Sequence, residues 1–424
     1  MITRPNRLSR KSFGKAPPGP RHGLRVIDLS RLVAGNMLTL QLADFGADVI
    51  KVEPPEGDTL RRFTTEGLDV WWKTYARNKR SVGLDLHRAE SIELVKRLAA
   101  TADVLVESFR PGVLEAIGLG PEVLHALNPK LVVTRISGWG QTGPYRHKPG
   151  FGTLVEGYTG FAAINGFEDR EPVLPPIFLG DMTTGLYGAT ATMTALWNVR
   201  VQGGEGQVID LSLFEPTLSV LGPQVANYHF TGKLKRRTGS RSSTTAPRNV
   251  YRTLDNEWLC LSTASQSMSR RLFESIGHGH LLDDARFSSN AARLANIVEV
   301  DRLVGEFVAL RTLDDNLAFF DGLGVTVGPI RDAGELIDDD YVVGREAVVD
   351  VEDSDLGSMP MHNVVPRMSA TPGGFHRQAP SIGQHNAELL EPLLERAEFD
   401  RLVDEGVITT GVELAAHASP APNP

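Results

Sequence analysis

The apolar pattern opens at Leu24-Arg25-Val26-Ile27-Asp28-Leu29, a short run that reads as a strand. A helical stretch follows over about 37–45, and Ala47-Asp48-Val49-Ile50-Lys51-Val52-Glu53 reads as a second strand. Strand, helix, strand in that order predicts a parallel crossover unit. The pattern returns with a helix over 89–100, a strand over 104–107 and another apolar strand over 131–137. The first half is therefore expected to be α/β, with a doubly wound, Rossmann-like sheet.

A helix is predicted over 181–197, poor in charge and rich in small residues: Gly185, Gly188, Ala189, Ala191 and Ala195. Such a helix is expected to be buried and closely approached by its neighbours. The turn Gly203-Gly204-Glu205-Gly206 leads into a strand over 207–213. From about 231 to 247 the chain becomes polar and basic, which reads as loop. Beyond it, 249–263 suggests a hairpin turning at Asp255-Asn256, and helices follow over roughly 268–278 and 297–323. We expect a flexible extension at 1–22, a large domain over 23–225, a linker at 226–247 and a small α+β domain at 248–335. Residues after about 340 have no periodicity that assigns them, and 415–424, rich in proline and alanine, reads as a disordered tail.

Composition narrows the function classes. The 424 residues carry a net charge of -8, which argues against a general nucleic-acid binder. No apolar run reaches the ~18 residues a membrane span requires. The single cysteine, Cys260, cannot form an internal disulfide, so a reducing, cytoplasmic location is expected. It lies in an apolar strand-like run, where a core thiol is expected rather than a nucleophile. The first 22 residues are basic but lack the apolar centre of a secretion signal.

Most signatures of catalysis are absent. The connection Ser30-Arg31-Leu32-Val33-Ala34-Gly35-Asn36 has one glycine, not the G-x-G-x-x-G that brings backbone amides to a dinucleotide, so Glu53 does not make a ribose site. No metal-ligand spacing occurs among the eleven histidines; His278 and His280 read as loop residues, and no metal is expected. Neither a G-x-S-x-G elbow nor a Walker loop is present. In Gly180-Asp181-Met182-Thr183-Thr184-Gly185, Asp181 reads first as the N-cap of the helix that follows. The same place suits a nucleophilic carboxylate, held ionised by the helix dipole.

Several segments in order resemble the family III coenzyme A transferases. They include Val26-Ile27-Asp28-Leu29-Ser30 with Ala34-Gly35, Phe45-Gly46-Ala47-Asp48-Val49-Ile50-Lys51-Val52-Glu53, and Asn78-Lys79-Arg80-Ser81. Asp103-Val104-Leu105-Val106-Glu107-Ser108-Phe109-Arg110-Pro111-Gly112 and Ser137-Gly138-Trp139-Gly140-Gln141-Thr142-Gly143-Pro144 follow. The Asp181 run and Ile382-Gly383-Gln384-His385-Asn386 complete the set.

The resemblance implies a Rossmann-like large domain built from both ends of the chain, so that 336–400 return to it. It also implies an interlocked homodimer and coenzyme A thioesters as substrates, with no tightly bound cofactor. In that mechanism Asp181 attacks the thioester and comes to carry CoA as an aspartyl thioester, before a carboxylic acid takes it. CoA contacts carry over to Val33, Ala34, Leu84, His87, Ser108, Phe109 and Arg110. The Gly138–Gly143 loop is a candidate for amides that meet an oxyanion. Pro54 and Ala116 stand where some relatives have arginine, and Ser240-Arg241-Ser242-Ser243-Thr244-Thr245 takes the place of a glycine-rich flap.

The same superfamily contains alpha-methylacyl-CoA racemases, which pair the aspartate with a histidine some thirty residues earlier. Here Phe151 occupies that place and cannot move a proton, His147 is four positions away, and Glu156 reads as a helix-face glutamate. Transfer is the leading expectation; a racemase with a different partner, or a CoA-binding protein without catalysis, are the alternatives.

Overall fold

In chain order the strands are β1 (Arg10–Lys11), β2 (Arg25–Asp28), β3 (Asp48–Glu53), β4 (Lys79–Gly83), β5 (Val104–Glu107), β6 (Val132–Ser137), β7 (Val208–Ser212), β8 (Arg248–Arg252), β9 (Trp258–Ser262), β10 (Thr326–Pro329), β11 (Val348–Asp353) and β12 (Gly357–His362). They belong to a computed structural model that describes residues 7–14 and 19–410. The expected tail at 415–424 lies outside the described residues.

Six strands form one sheet in the order β4-β3-β2-β5-β6-β7, and every neighbouring pair is parallel. Parallel strands are covered on both faces, which is why Val26-Ile27 of β2, Val49-Ile50 of β3 and Val104-Leu105-Val106 of β5 are apolar runs buried on both sides. One face is packed by Ile27, Ile50, Val82, Leu105 and Val133; the other by Val26, Val49, Val104, Val106 and Val132. The first face is completed late in the chain by Leu389, Leu390, Phe399, Leu402 and Ile408.

The chain divides into two compact units. One holds 1–159, 175–221 and 340–424; the other holds 160–174 and 222–339. The second unit contains the antiparallel sheet β10-β9-β8 and a core that includes Tyr251, Leu259, Phe273, Val304 and Phe320. Asn256, at the β8–β9 turn, takes φ +65°, a left-handed conformation that asparagine tolerates. The expected loop over 231–247 is preceded by a helix at Gln224–Thr231, so the expected linker begins inside a helix.

Two expectations are corrected. Within the expected flexible extension at 1–22, the described residues Arg10 and Lys11 pair in parallel with Asp350 and Val351 of β11. Leu8 is buried and Phe13 meets Phe375 edge-on, and these apolar anchors hold the segment down. The second correction concerns the helix at Asp181, which runs Leu179–Val201, so Asp181 is its third residue and not its N-cap. Its small residues serve close packing. A Cβ on Gly185 would lie 2.7 Å from the Ala34 carbonyl oxygen, and one on Gly188 2.5 Å from Leu38 Cδ1. The helix thus lies directly against the helix Ala34–Ala43 that follows β2. Among the described residues no helix is long and apolar enough to cross a membrane.

Candidate functional site

The loop after β2 is set by buried charge. Asp28 Oδ1 accepts from the Ser30 amide at 2.9 Å and lies 3.3 Å from Lys51 Nζ; Asp28 Oδ2 lies 3.6 Å from Lys79 Nζ. Lys51 also meets Asp58 at 2.8 Å, and Lys79 donates to Asn36 Oδ1 at 2.8 Å. Burial pulls Lys79 down to about 8 against the attraction of Asp28. Asp58 in turn accepts from the amide of Leu32, which sits at φ +63°. These bonds, more than glycine, shape the turn. A Cβ on its one glycine, Gly35, would meet Ser30 Oγ at 2.0 Å.

The parallel strands end at a cleft of about 470 Å³. Such a position, beyond the carboxyl ends of the strands, is where open α/β sheets bind ligands. One wall comes from Arg31, Leu32 and Ala34 of the first loop. Ser108, Phe109 and Arg110 at the end of β5 form another, and Ser108 Oγ accepts from the Arg31 amide at 2.9 Å, tying the two loops together. Phe109 is fixed by its amide, which donates to Glu107 Oε2 at 2.7 Å; Glu107 in turn accepts from Arg135 Nε at 2.7 Å. The third wall is Ser137, Gly138 and Trp139 beside Pro149, Gly150 and Phe151. There the backbones nearly touch: a Cβ on Gly138 would lie 2.5 Å from Gly150 Cα.

Asp181 also lines this cleft. Its carboxylate lies against Gly152, whose absent Cβ would stand 2.3 Å from Asp181 Oδ2 and 3.8 Å from Glu156 Oε1. Glu156 is buried, and its Oε1 accepts from the amide of Gly180 at 2.9 Å. That amide is one of the orphan donors of the helix N-terminus. The N-cap of this helix, Phe178, offers no side-chain bond, and the Asp181 carboxylate bonds to its own backbone amide. Burial first, and the Glu156 charge second, push its carboxyl up to about 6. Desolvation and a like charge both disfavour the anion, yet a carboxyl near 6 is still ionised at neutral pH.

Of the residues expected to contact CoA, Ala34, Ser108, Phe109 and Arg110 lie on the cleft with Asp181. The side chains of the other three do not. Val33 is buried in a small cluster with Leu60, Trp72 and Ala76. Leu84 is fully buried against the first face of the sheet. His87 is exposed, its amide donating to Asp85 Oδ1 at 3.0 Å.

Sequence reasoning passed over Arg31, Arg146 and Lys148, which also line the cleft. The basic pair shortly before Gly150 was the available signal. Neither the Arg31 nor the Arg110 guanidinium has a partner among the described residues. Two unpaired cations beside an apolar slot suit a phosphate-bearing ligand with a long organic arm. Phe151, 59% exposed, lines the same cleft where a racemase would have its histidine.

Comparison with known proteins agrees. The model of CoA-transferase family III matches residues 22–386. The chain is 41% identical over 388 residues to the succinyl-CoA–D-citramalate CoA-transferase of Chloroflexus aurantiacus, which covers 91% of this chain and 96% of that protein. It is 36% identical over 384 residues to the succinate–glutarate CoA-transferase of Agrobacterium fabrum, covering 88% and 96%. A crystal structure of a CAIB/BAIF family protein from Brucella suis superposes with a TM-score of 0.78 at 33% identity, covering 91% of this chain and all of that one. The chain is an enzyme that belongs to CoA-transferase family III.

Proposed function

We propose that the enzyme moves coenzyme A from an acyl-CoA thioester to a carboxylic acid, with Asp181 as the nucleophile. One observation carries this: the Asp181 carboxylate, raised to about 6 and still ionised at neutral pH, lines a cleft that also presents guanidinium groups with no partner among the described residues. The relatives named above transfer CoA between succinyl-CoA or succinate and short acids, which supports a dicarboxylic donor for this chain.

The bonds balance in four steps. An Asp181 oxygen adds to the thioester carbonyl, and CoA leaves as thiolate to give an acyl-aspartyl anhydride. The thiolate then attacks the Asp181 carbonyl, which releases the donor acid and leaves an aspartyl-CoA thioester. The acceptor carboxylate attacks that thioester, forming a second anhydride and thiolate. Attack of the thiolate on the acceptor's carbonyl yields the new acyl-CoA and regenerates Asp181. Covalent catalysis suits the exchange because each step trades one activated acyl bond for another. The Gly138–Gly143 loop supplies backbone amides for the developing oxyanions.

Ala34, Ser108 and Phe109 bound the slot for the CoA arm, and Arg110 meets phosphate. Phe151 offers no proton, so it cannot serve as the second acid–base group that a racemase has at that place. A second copy of the chain covers the outward side of the Leu179–Val201 helix, where Leu186, Tyr187, Trp197 and Val201 are exposed; the interlocked homodimer implied by the resemblance accounts for that apolar surface. The enzyme works in the cytoplasm, with no tightly bound cofactor. The test is to incubate the protein with succinyl-CoA and a panel of acids, then search by mass spectrometry for CoA on the peptide containing Asp181. Full transfer activity in Asp181→Ala would overturn the reading.

A further inference from the structure

We infer that Glu156 is a positioning residue for the transfer reaction, one that anchors the Asp181 helix and makes acylation of Asp181 electrostatically favourable. The inference rests on the reading of Asp181 as nucleophile and adds a second carboxylate to it. Glu156 projects from the helix Gly152–Tyr158, is buried, and commits Oε1 to the Gly180 amide at 2.9 Å. Gly180 immediately precedes Asp181, so that bond sets the direction in which the nucleophile leaves the helix.

A buried acid beside a nucleophilic acid disfavours the ionised form of that nucleophile. Here the cost falls on one state only. Free Asp181 carries a charge that Glu156 repels, whereas the anhydride and the thioester formed on Asp181 are neutral. Glu156 therefore disfavours the resting carboxylate and not the covalent intermediates. It also makes Asp181 more basic, and more nucleophilic while still ionised. The other charged groups near this pair are Arg31, Arg110, Arg146 and Lys148 on the cleft walls, and Glu215 on the helix Phe214–Val220. Glu215 bonds to Ser212, and the neighbouring charge that raises the Asp181 carboxyl is that of Glu156.

Glu156→Gln keeps an oxygen that accepts from Gly180 but removes the charge. We expect it to fold normally, with a few-fold loss in kcat and an unchanged KM for the thioester. The acidic limb of its kcat/KM profile should move down by on the order of one pH unit. The share of enzyme trapped as aspartyl-CoA should fall. Glu156→Ala, which also orphans the Gly180 amide, should lose on the order of 10- to 100-fold in kcat. An acidic limb that stays in place in Glu156→Gln overturns the inference, whatever happens to the rate. That failure leaves the proposed function standing, because Asp181→Ala tests it separately.

Discussion

The Cβ that Gly152 lacks would fall 2.3 Å from Oδ2 of Asp181, which ties the nucleophile's position to an empty space on the neighbouring helix. Gly152→Ala should therefore push the carboxylate aside without unfolding the protein. A displacement of about 1 Å costs on the order of 10²-fold in rate. Steady-state kinetics with matched thermal melts check this; unaltered kcat would show that Asp181 tolerates the methyl group.

The pH behaviour of Asp181 has opposite signs for rate and for stability. Attack requires the anion, so kcat/KM should rise with pH through about 6. Folding runs the other way. The carboxyl titrates near 6 in the fold and at the ordinary value of 3.8 when unfolded, so the protonated form is the one the fold prefers. That preference is fully present below 3.8 and is lost as pH rises through 6, leaving a penalty on the order of 2–3 kcal/mol at neutral pH. Asp181→Asn should accordingly be inactive yet melt higher at pH 7.5, and the gain should vanish near pH 4. A variant no more stable than the parent at pH 7.5 would contradict this.

Arg110 lines the cleft, with no partner for its guanidinium among the described residues. Arg110→Ala should raise the KM for an acyl-CoA roughly 10- to 100-fold, the worth of one charge-assisted bond. A truncated thioester that lacks the nucleotide should be handled equally by both forms. If the truncated substrate suffers as much as the full one, Arg110 does not contact the nucleotide.

Asp28 lies 3.3 Å from Lys51 and 3.6 Å from Lys79, and all three are buried. Asp28→Ala leaves two buried ammonium groups with one fewer anion, which should cost about 3–5 kcal/mol. Denaturant titration measures it. A cost under about 1 kcal/mol would mean that the lysines relax to other partners.

Those lysines also explain what the sequence hid. The strands β2, β3, β5 and β6 were legible because apolar runs with both faces covered stand out from their surroundings. The strand β4, Lys79-Arg80-Ser81-Val82-Gly83, reads as polar chain. It is buried nonetheless, because Lys79 reaches Asn36 and Arg80 bonds to Asp48 and to Glu388, at 2.7 Å for the latter. Periodicity counts such residues as surface, since it cannot see a partner distant in sequence. The site divides the same way. Asp181, Ala34, Ser108, Phe109 and Arg110 came from ordered motifs and meet on one cleft. Glu156 was readable only as a helix-face glutamate, because its partner is a backbone amide 24 residues later.

The pairing of Arg10 and Lys11 with Asp350 and Val351 has a practical consequence. Trimming the chain at residue 22 would look like the removal of loose residues before the first motif. It would in fact strip one side of β11 and bare a row of backbone donors and acceptors, the feature that invites chains to stack edge to edge. Arg10 and Lys11 thus act as a selvedge, keeping the last sheet from unravelling into its neighbours.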